Sequence, residues 1–418
     1  MRRGSAPRWI WIGATAVAAV AVAELAALAM RPKEVIEPAP AEENAYFSQQ
    51  ELERARDYRS GQRLLMVGGI AAQGALLVLV AGGRPRWARR AFERAGERPV
   101  LGGAAAAAGL YVAVEAAGLP FSIAAHERAV DVGLSTQSLG AWGVDVAKAT
   151  AVGTALAAAV GTSALALMRR FRQRWWIPGS GAFVALAVLF VWVTPVVLAP
   201  LFNDFDPLEP GPARSETLEL AERAGVDVGE VYRVDASRRT TGINAYVGGL
   251  GSTKRVVLGD NLLERLDPGE RRSVIAHELS HAESEDLPKG LLWVALVTPL
   301  SLLFAGKLAA AVSRRDEASL GTPAALPALA LALAITSFGI GVIGNAFSRR
   351  VEARADQRAL ELTEDPGALI RLQRKSALIN VSDPSPPSLF AFLYGTHPTK
   401  MERIGQALAY QRGQGEEP

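Results

Sequence analysis

Seven stretches of about 20 mostly apolar residues constrain this chain more than anything else in it, because a helix of that length crosses the hydrocarbon core of a bilayer. They run from Trp9 to Met30, Leu64 to Gly83, Pro99 to Ile123, Val146 to Met168, Trp175 to Phe202, Gly290 to Val312 and Ala318 to Phe347. Inside lipid every backbone polar group must be satisfied within its own segment, so each run is expected to be helical. The fold class follows: mainly α, a polytopic membrane protein with about seven transmembrane helices. Arg2, Arg3 and Arg8 precede the first run and Ala27-Leu28-Ala29 resembles a cleavage site, the marks of a signal peptide. Its length, and Glu24 within it, argue instead for a retained helix. The sequence has 0 cysteines, which excludes disulfides and thiolate metal sites.

Between and after these runs lie polar segments. Residues 31 to 61 begin rich in Pro and Ala and become a charged helical pattern after Phe47, which on composition reads as a solvated connector. Residues 203 to 289 have soluble-domain patterning: a helix near Ser215 to Ala224, a strand over Val231 to Val234, and two strands, Asn244 to Val247 and Arg255 to Leu258. The turn joining the last two contains Gly248, Gly249 and Gly251, which permit positive φ. Asp267-Pro268-Gly269-Glu270 then announces a helix, with Asp267 as N-cap, Pro268 in the first turn and Glu270 placed to complete a capping box. After the seventh run a helical stripe of Phe347, Val351, Ala355 and Ala359 continues until Asp365-Pro366-Gly367. One helix is therefore expected to leave the membrane and enter the polar domain. Gly339-Ile340-Gly341-Val342-Ile343-Gly344 matches a dinucleotide-binding pattern, but with no strand before it the glycines fit close helix packing better.

The capped helix carries "HELSH". His277 and His281 stand one turn apart on one face and can offer imidazole nitrogens to a single Zn²⁺, one per chain. Glu278 can then hold and deprotonate a water whose pKa the metal lowers towards about 7. Histidine is scarce, 4 residues in all, so two at ligand spacing around a glutamate on a capped helix are hard to dismiss as a polar patch. Downstream, Glu352 and Asp356 again share a face at i and i+4. Glu352 would complete a His₂Glu site, and Asp356 would accept the free N–H of a ligand histidine. On charge pattern alone, solvated helix charges among Arg349, Arg350, Arg354 and Arg358 explain the pair better. His397, ahead of Pro398, could donate to an oxyanion. His126 acquires no role.

These blocks together resemble the integral-membrane zinc metallopeptidases typified by the type I CAAX prenyl protease, with the bacterial heat-shock membrane zinc protease as a shorter relative. "FSQQELERARDYRSGQRL", "GLPFSIAAHERAVDVGLSTQSLGAWGVD" and "APLFNDFDPL" resemble the family's N-terminal region and entry to its catalytic domain. "NAYVGGLGSTKRVVLGDNLL", "HELSH", "SRRVEARADQRALEL" and "THPTKMERI" resemble its catalytic blocks. The resemblance implies a small α+β zincin-like (gluzincin) catalytic domain. It makes His277, His281 and Glu352 zinc ligands, Glu278 the general base, Asp356 the carboxylate behind a ligand, and His397 the transition-state donor. Asn244 and Ala245 would lie on an edge strand that holds substrate backbone, which an unpaired strand can do through main-chain hydrogen bonds. Ser280 stands where the family usually has glycine.

The expected division is residues 1–202 as a membrane domain of five helices, 203–289 as the catalytic segment, 290–347 as helices six and seven, and 348–418 as the rest of the catalytic domain. Glu24, Glu115, Lys148 and Lys307 fall in or near apolar runs, where they pair, snorkel, or line a wet cavity between helices. Loop 84 to 98 carries six Arg and two Glu, and 169 to 174 four Arg and no acid. Arg314 and Arg315 add to this set, whereas loop 120 to 145 has one Arg and three acids. By the positive-inside rule the basic loops are cytoplasmic, which puts the catalytic segment outside, whereas the eukaryotic relatives face the cytosol. The net charge of +3 thus reports topology and calls for no nucleic-acid partner. The expected function is zinc-dependent endoproteolysis of membrane-associated or prenyl-type peptides by a multi-pass protein of the cell membrane. A transporter or scaffold with intramembrane charges is the alternative.

Overall fold

The computed structural model describes residues 7–98, 100–249, 254–314 and 316–415; Arg2, Arg3, Gly251 and Arg315 lie outside them. Its helices are α1 (Arg8–Met30), α2 (Glu43–Tyr46), α3 (Gln49–Val78), α4 (Arg86–Gly96), α5 (Leu101–Asp131), α6 (Leu139–Phe171), α7 (Trp176–Val193) and α8 (Pro212–Arg223). They continue as α9 (Asp260–Arg265), α10 (Pro268–Glu283), α11 (Asp286–Val312), α12 (Leu326–Thr363), α13 (Pro366–Ile379), α14 (Ser388–Tyr394) and α15 (Lys400–Gly413). Among the described residues, 7 helices are long and apolar enough to cross a membrane: α1, α3, α5, α6, α7, α11 and α12. The protein is a mainly α, multi-pass membrane protein, with one small sheet among the described residues.

That sheet has the order β1-β2-β4-β3, from β1 (Phe205–Pro207), β2 (Glu230–Val234), β3 (Ala245–Gly248) and β4 (Arg255–Gly259). β1 pairs antiparallel with β2, β2 parallel with β4, and β3 antiparallel with β4, with Ala245 opposite Leu258. Beyond β3, Gly249 takes the left-handed φ of 94° that its turn needs. The core beneath the sheet brings Val231, Val256 and Leu258 against Ile275 and Leu279 of α10, Leu220 of α8 and Leu360 of α12. Those apolar positions recur at helical spacing on α10, so burying them turns its other face outward, towards α12.

Two features depart from the sequence reading. α12 begins at Leu326, not near Ala318; short 3₁₀ turns at Glu317–Ser319 and Pro323–Ala325 precede it, since Pro323 lacks an N–H and suits a helix start. The segment after α1 is no free connector. It straps the C-terminal helices: Ala39 N donates to Gly405 O at 2.9 Å and Ile36 N to Gln357 Oε1 at 3.0 Å. A Cβ on residue 405 would collide with the Ala39 carbonyl oxygen, so glycine is what lets the strap lie against α15. Phe47 and Leu52 pack with Ile404 and Leu408, and Arg63 pairs with Asp383 at 3.1 Å, fixing α3 to the same region. α1 lies beside α11, with Trp293 Nε1 donating to Ala23 O at 3.2 Å.

Of the charges in apolar runs, Lys307 pairs with Glu317 at 3.1 Å. Lys148 donates to Leu201 O at 3.0 Å, while Glu24 and Glu115 are exposed. His126 is buried and stacks on Trp142 with ring centroids 4.9 Å apart.

Candidate metal centre

α10 starts where its cap dictates. Asp267 Oδ1 accepts from Glu270 N at 3.0 Å, and Glu270 Oε2 accepts from Asp267 N at 3.1 Å. Two and a half turns on, His277 and His281 turn their Nε2 atoms towards one point, 3.3 Å apart. The opposite nitrogens are each held by a carboxylate. Asp356 Oδ1 lies 2.9 Å from His277 Nδ1, and Asp286 Oδ2 lies 2.8 Å from His281 Nδ1. With each Nδ1 proton donated to its carboxylate, Nε2 is the nitrogen that each ring can offer to a cation at the shared point.

α12 supplies the third side. Glu352 Oε2 is 3.3 Å from His277 Nε2, and its Oε1 is 3.7 Å from His281 Nε2. One donor atom from each of His277, His281 and Glu352 falls within 4.8 Å of the other two. Glu352 Oε2 is buried without a hydrogen-bond partner, so two lone pairs and an unpartnered carboxylate oxygen converge. A cation held there would resolve that convergence. Donors on a tetrahedral zinc with bonds of about 2.0–2.1 Å sit roughly 3.3 Å apart, and this set is two nitrogens and one carboxylate, as zinc hydrolases use.

Asp356 is fully buried, and Arg403 of α15 forks onto it, with Nε 2.6 Å from Oδ2 and Nη2 on Oδ1. Burial works against a charged His277, but Asp356 outweighs it and lifts that imidazole to about 10, so this corner favours positive charge. Burial also raises the Glu278 carboxyl above the usual glutamate range, against the pull of His277 and His281.

Glu278 lines a cavity of about 150 Å³ together with Asn244, Ala245, His277, His397, Lys400 and Arg403. Ala245 opens β3, an edge of the sheet, and Asn244 O accepts from Gly259 N at 3.0 Å. His397 stands exposed at the rim, its Nε2 3.4 Å from Glu352 Oε2 and its Nδ1 2.8 Å from Thr396 Oγ1. Ser280, buried in α10, donates back to His277 O at 2.8 Å, so its side chain is accommodated. All eight residues singled out from the sequence therefore lie around one centre.

Sequence reasoning missed Asp286, Arg403 and Lys400. Asp286 reaches His281 only because Glu285 adopts a left-handed φ of 54° between α10 and α11, which no periodicity announces. Arg403 and Lys400 share a face of α15 at i and i+3, a spacing that was visible but had no partner to point to.

Comparison with known proteins matches residues 207–411 to the model of "Peptidase family M48" and residues 33–204 to that of "CAAX prenyl protease N-terminal, five membrane helices". An uncharacterized metalloprotease, YhfN, of Bacillus subtilis is 31% identical over 294 residues, 69% of this chain and 69% of that protein. A CAAX prenyl protease 1 homolog of Dictyostelium discoideum is 32% identical over 53% of this chain and 52% of its own length, so the match spans about half of that relative. The crystal structure of S. mikatae Ste24p superposes with a TM-score of 0.75 at 20% identity, covering 97% of this chain and 100% of that one, which is a likeness of fold.

Proposed function

The chain belongs to peptidase family M48 and is a membrane metalloprotease; from that premise we propose that it is a zinc endopeptidase whose single ion is held by His277, His281 and Glu352. The observation that carries the ligand assignment is the convergence of two Nε2 atoms 3.3 Å apart on a buried Glu352 oxygen with no other partner. When bound, zinc supplies Lewis acidity, lowering the pKa of water towards about 7 and polarising the scissile carbonyl.

The chain's own groups do the rest. Glu278, in the cavity beside His277, takes the proton of the attacking water and passes it to the leaving nitrogen. Asp356 and Asp286 keep the Nδ1 protons of His277 and His281, so that both rings present Nε2. Thr396 Oγ1 can donate to His397 Nδ1, which leaves Nε2–H free to donate to the oxyanion that forms at the attacked carbonyl. Asn244 and Ala245, at the free edge of the sheet, align substrate as an added strand.

The substrates we propose are membrane-associated polypeptides, a class that includes the prenylated peptides named in its eukaryotic relatives. Bilayer lipid is the protein's surroundings, and the arginines of the short loops 84 to 98 and 169 to 174 report orientation and call for no nucleic-acid partner. We place the catalytic segment on the extracytoplasmic side by that same bias. The comparisons lend nothing to a transporter or scaffold.

Full-length protein should carry one zinc per chain and cut membrane-protein or peptide substrates. Glu278→Gln should abolish cleavage while zinc remains, and chelation should remove both. A Glu278→Gln protein that still cuts at the wild-type rate overturns the mechanism.

A further inference from the structure

One half-buried cation in the cavity has no part in the chemistry above. Lys400 is the first residue of α15, behind a Thr399–Glu402 capping box, and its side chain enters the cavity that Glu278 and His397 line. Its ammonium donates to Gln373 Oε1 at 3.1 Å and Ser376 Oγ at 2.9 Å, both on α13 and both neutral. An ammonium has three N–H donors, so one remains uncommitted.

The balance of the surroundings opposes a charge here. Burial and the neighbouring Arg403 pull the Lys400 ammonium down to about 7, with Arg59 adding to the repulsion. Asp356 attracts it, but both Asp356 oxygens are already engaged by Arg403 and His277. Among the described residues Lys400 forms no ion pair, and a cation at the first turn of a helix also meets the wrong end of the dipole. A methionine or leucine would fill the same space at less cost. Groups kept against local preference are found where function needs them.

We propose that Lys400 is a specificity-determining residue that binds a carboxylate on the substrate residue flanking the scissile bond. The inference rests on the metalloprotease reading of the site, since it is Glu278 that marks where the bond is cut. A cavity of about 150 Å³ takes one group of roughly the bulk of benzene, which suits a single residue's end. Gln373, 1% exposed, and Ser376 hold the ammonium in place, and the third N–H meets the incoming carboxylate. That carboxylate comes from an acidic side chain or from the substrate's own C-terminus, and both carry the same chemistry.

The test uses full-length, zinc-loaded protein in lipid vesicles and quenched peptide pairs. One pair carries Glu or Gln beside the cleavage point, and the other ends one residue past it as a free acid or as an amide. One charge-assisted hydrogen bond gives about a tenfold preference in kcat/KM for the acid of the pair that is recognised. Lys400→Met should bring that ratio to about one, and Lys400→Glu should turn it towards a Lys-containing peptide. Binding of the uncut acidic peptide to the Glu278→Gln protein should weaken by the same factor when Lys400→Met is added. Equal cleavage of acid and amide by the wild type, or a preference that survives Lys400→Met, overturns this inference and leaves the protease reading intact. A protein that cuts no peptide at all overturns the protease reading, and the inference falls with it.

Discussion

At the scale of single residues, spacing told which side chains share a face and not always what they do. His277 and His281 are an i and i+4 pair around a glutamate and read as ligands directly, whereas Glu352 and Asp356, at the same spacing, read on charge pattern alone as solvated charges and took their roles from the resemblance. The residues that steady these groups come from turns and from docking, which leave no period. Asp286 depends on the reversal at Glu285, and Arg403 on α15 settling against α12. Removing such a support typically costs 10- to 100-fold in metal affinity. Asp286→Ala should therefore weaken zinc binding by about that factor in competition with a chelator, while α10 and its histidines stay in place; unchanged affinity refutes the support. Lys400 offers a pH test. Its folded value, about 7, lies below the unfolded 10.5, so between these limits the unfolded chain binds the extra proton and stability rises with pH. The penalty of the half-buried charge is complete below about 7 and gone by about 10.5. Lys400→Met should accordingly raise the thermal midpoint at pH 6, and the gain should fade as pH approaches 10.

At the scale of elements, long periodic segments were readable, as were the short apolar strands β2, β3 and β4, but segments with neither period nor apolar run were not. α12 was foreseen as a membrane helix running on into the polar domain, because its apolar run passes without a break into the stripe of Phe347, Val351, Ala355 and Ala359. β1 was not foreseen. Phe205–Pro207 has three residues, one of them proline, and becomes a strand only by pairing with β2. The strap over α15 was hidden too, since Pro- and Ala-rich chain looks the same whether docked or free. With 38 residues, α12 spans about 57 Å, nearly twice the hydrocarbon thickness, and its rigidity sets the angle at which Glu352 meets α10. One alanine inserted after Phe347 should rotate Glu352 and Asp356 by about 100°. Zinc content should fall close to zero while the protein stays in the membrane fraction; retention of one zinc per chain would mean that α12 does not position the ligand.

At the scale of the whole molecule, charge is sorted by membrane end. α4 carries Arg86, Arg89, Arg90 and Arg94 and packs by the 3₁₀ turn that starts α12. Arg172–Arg174 lies by the turn at Glu317–Ser319, and the Arg84 guanidinium donates to Ser313 O at the end of α11. These basic groups gather at the junction between α11 and α12, whereas the histidines sit on α10, just ahead of the other end of α11, and Glu352 lies in the last third of α12. Two helices that each cross the bilayer thus separate the arginines from the site. Residues 203 to 289 hold 11 basic and 17 acidic residues, and a segment of that length weighs little against short arginine loops in setting orientation. The arginine end should face the cytoplasm and the zinc site the other side. A reporter that folds only where disulfides form, fused after Pro418, should be active, and one that works only in the cytoplasm should be silent. The reverse pattern would mean that a different force overrides the short arginine loops, and it would put substrate for this site on the cytoplasmic face.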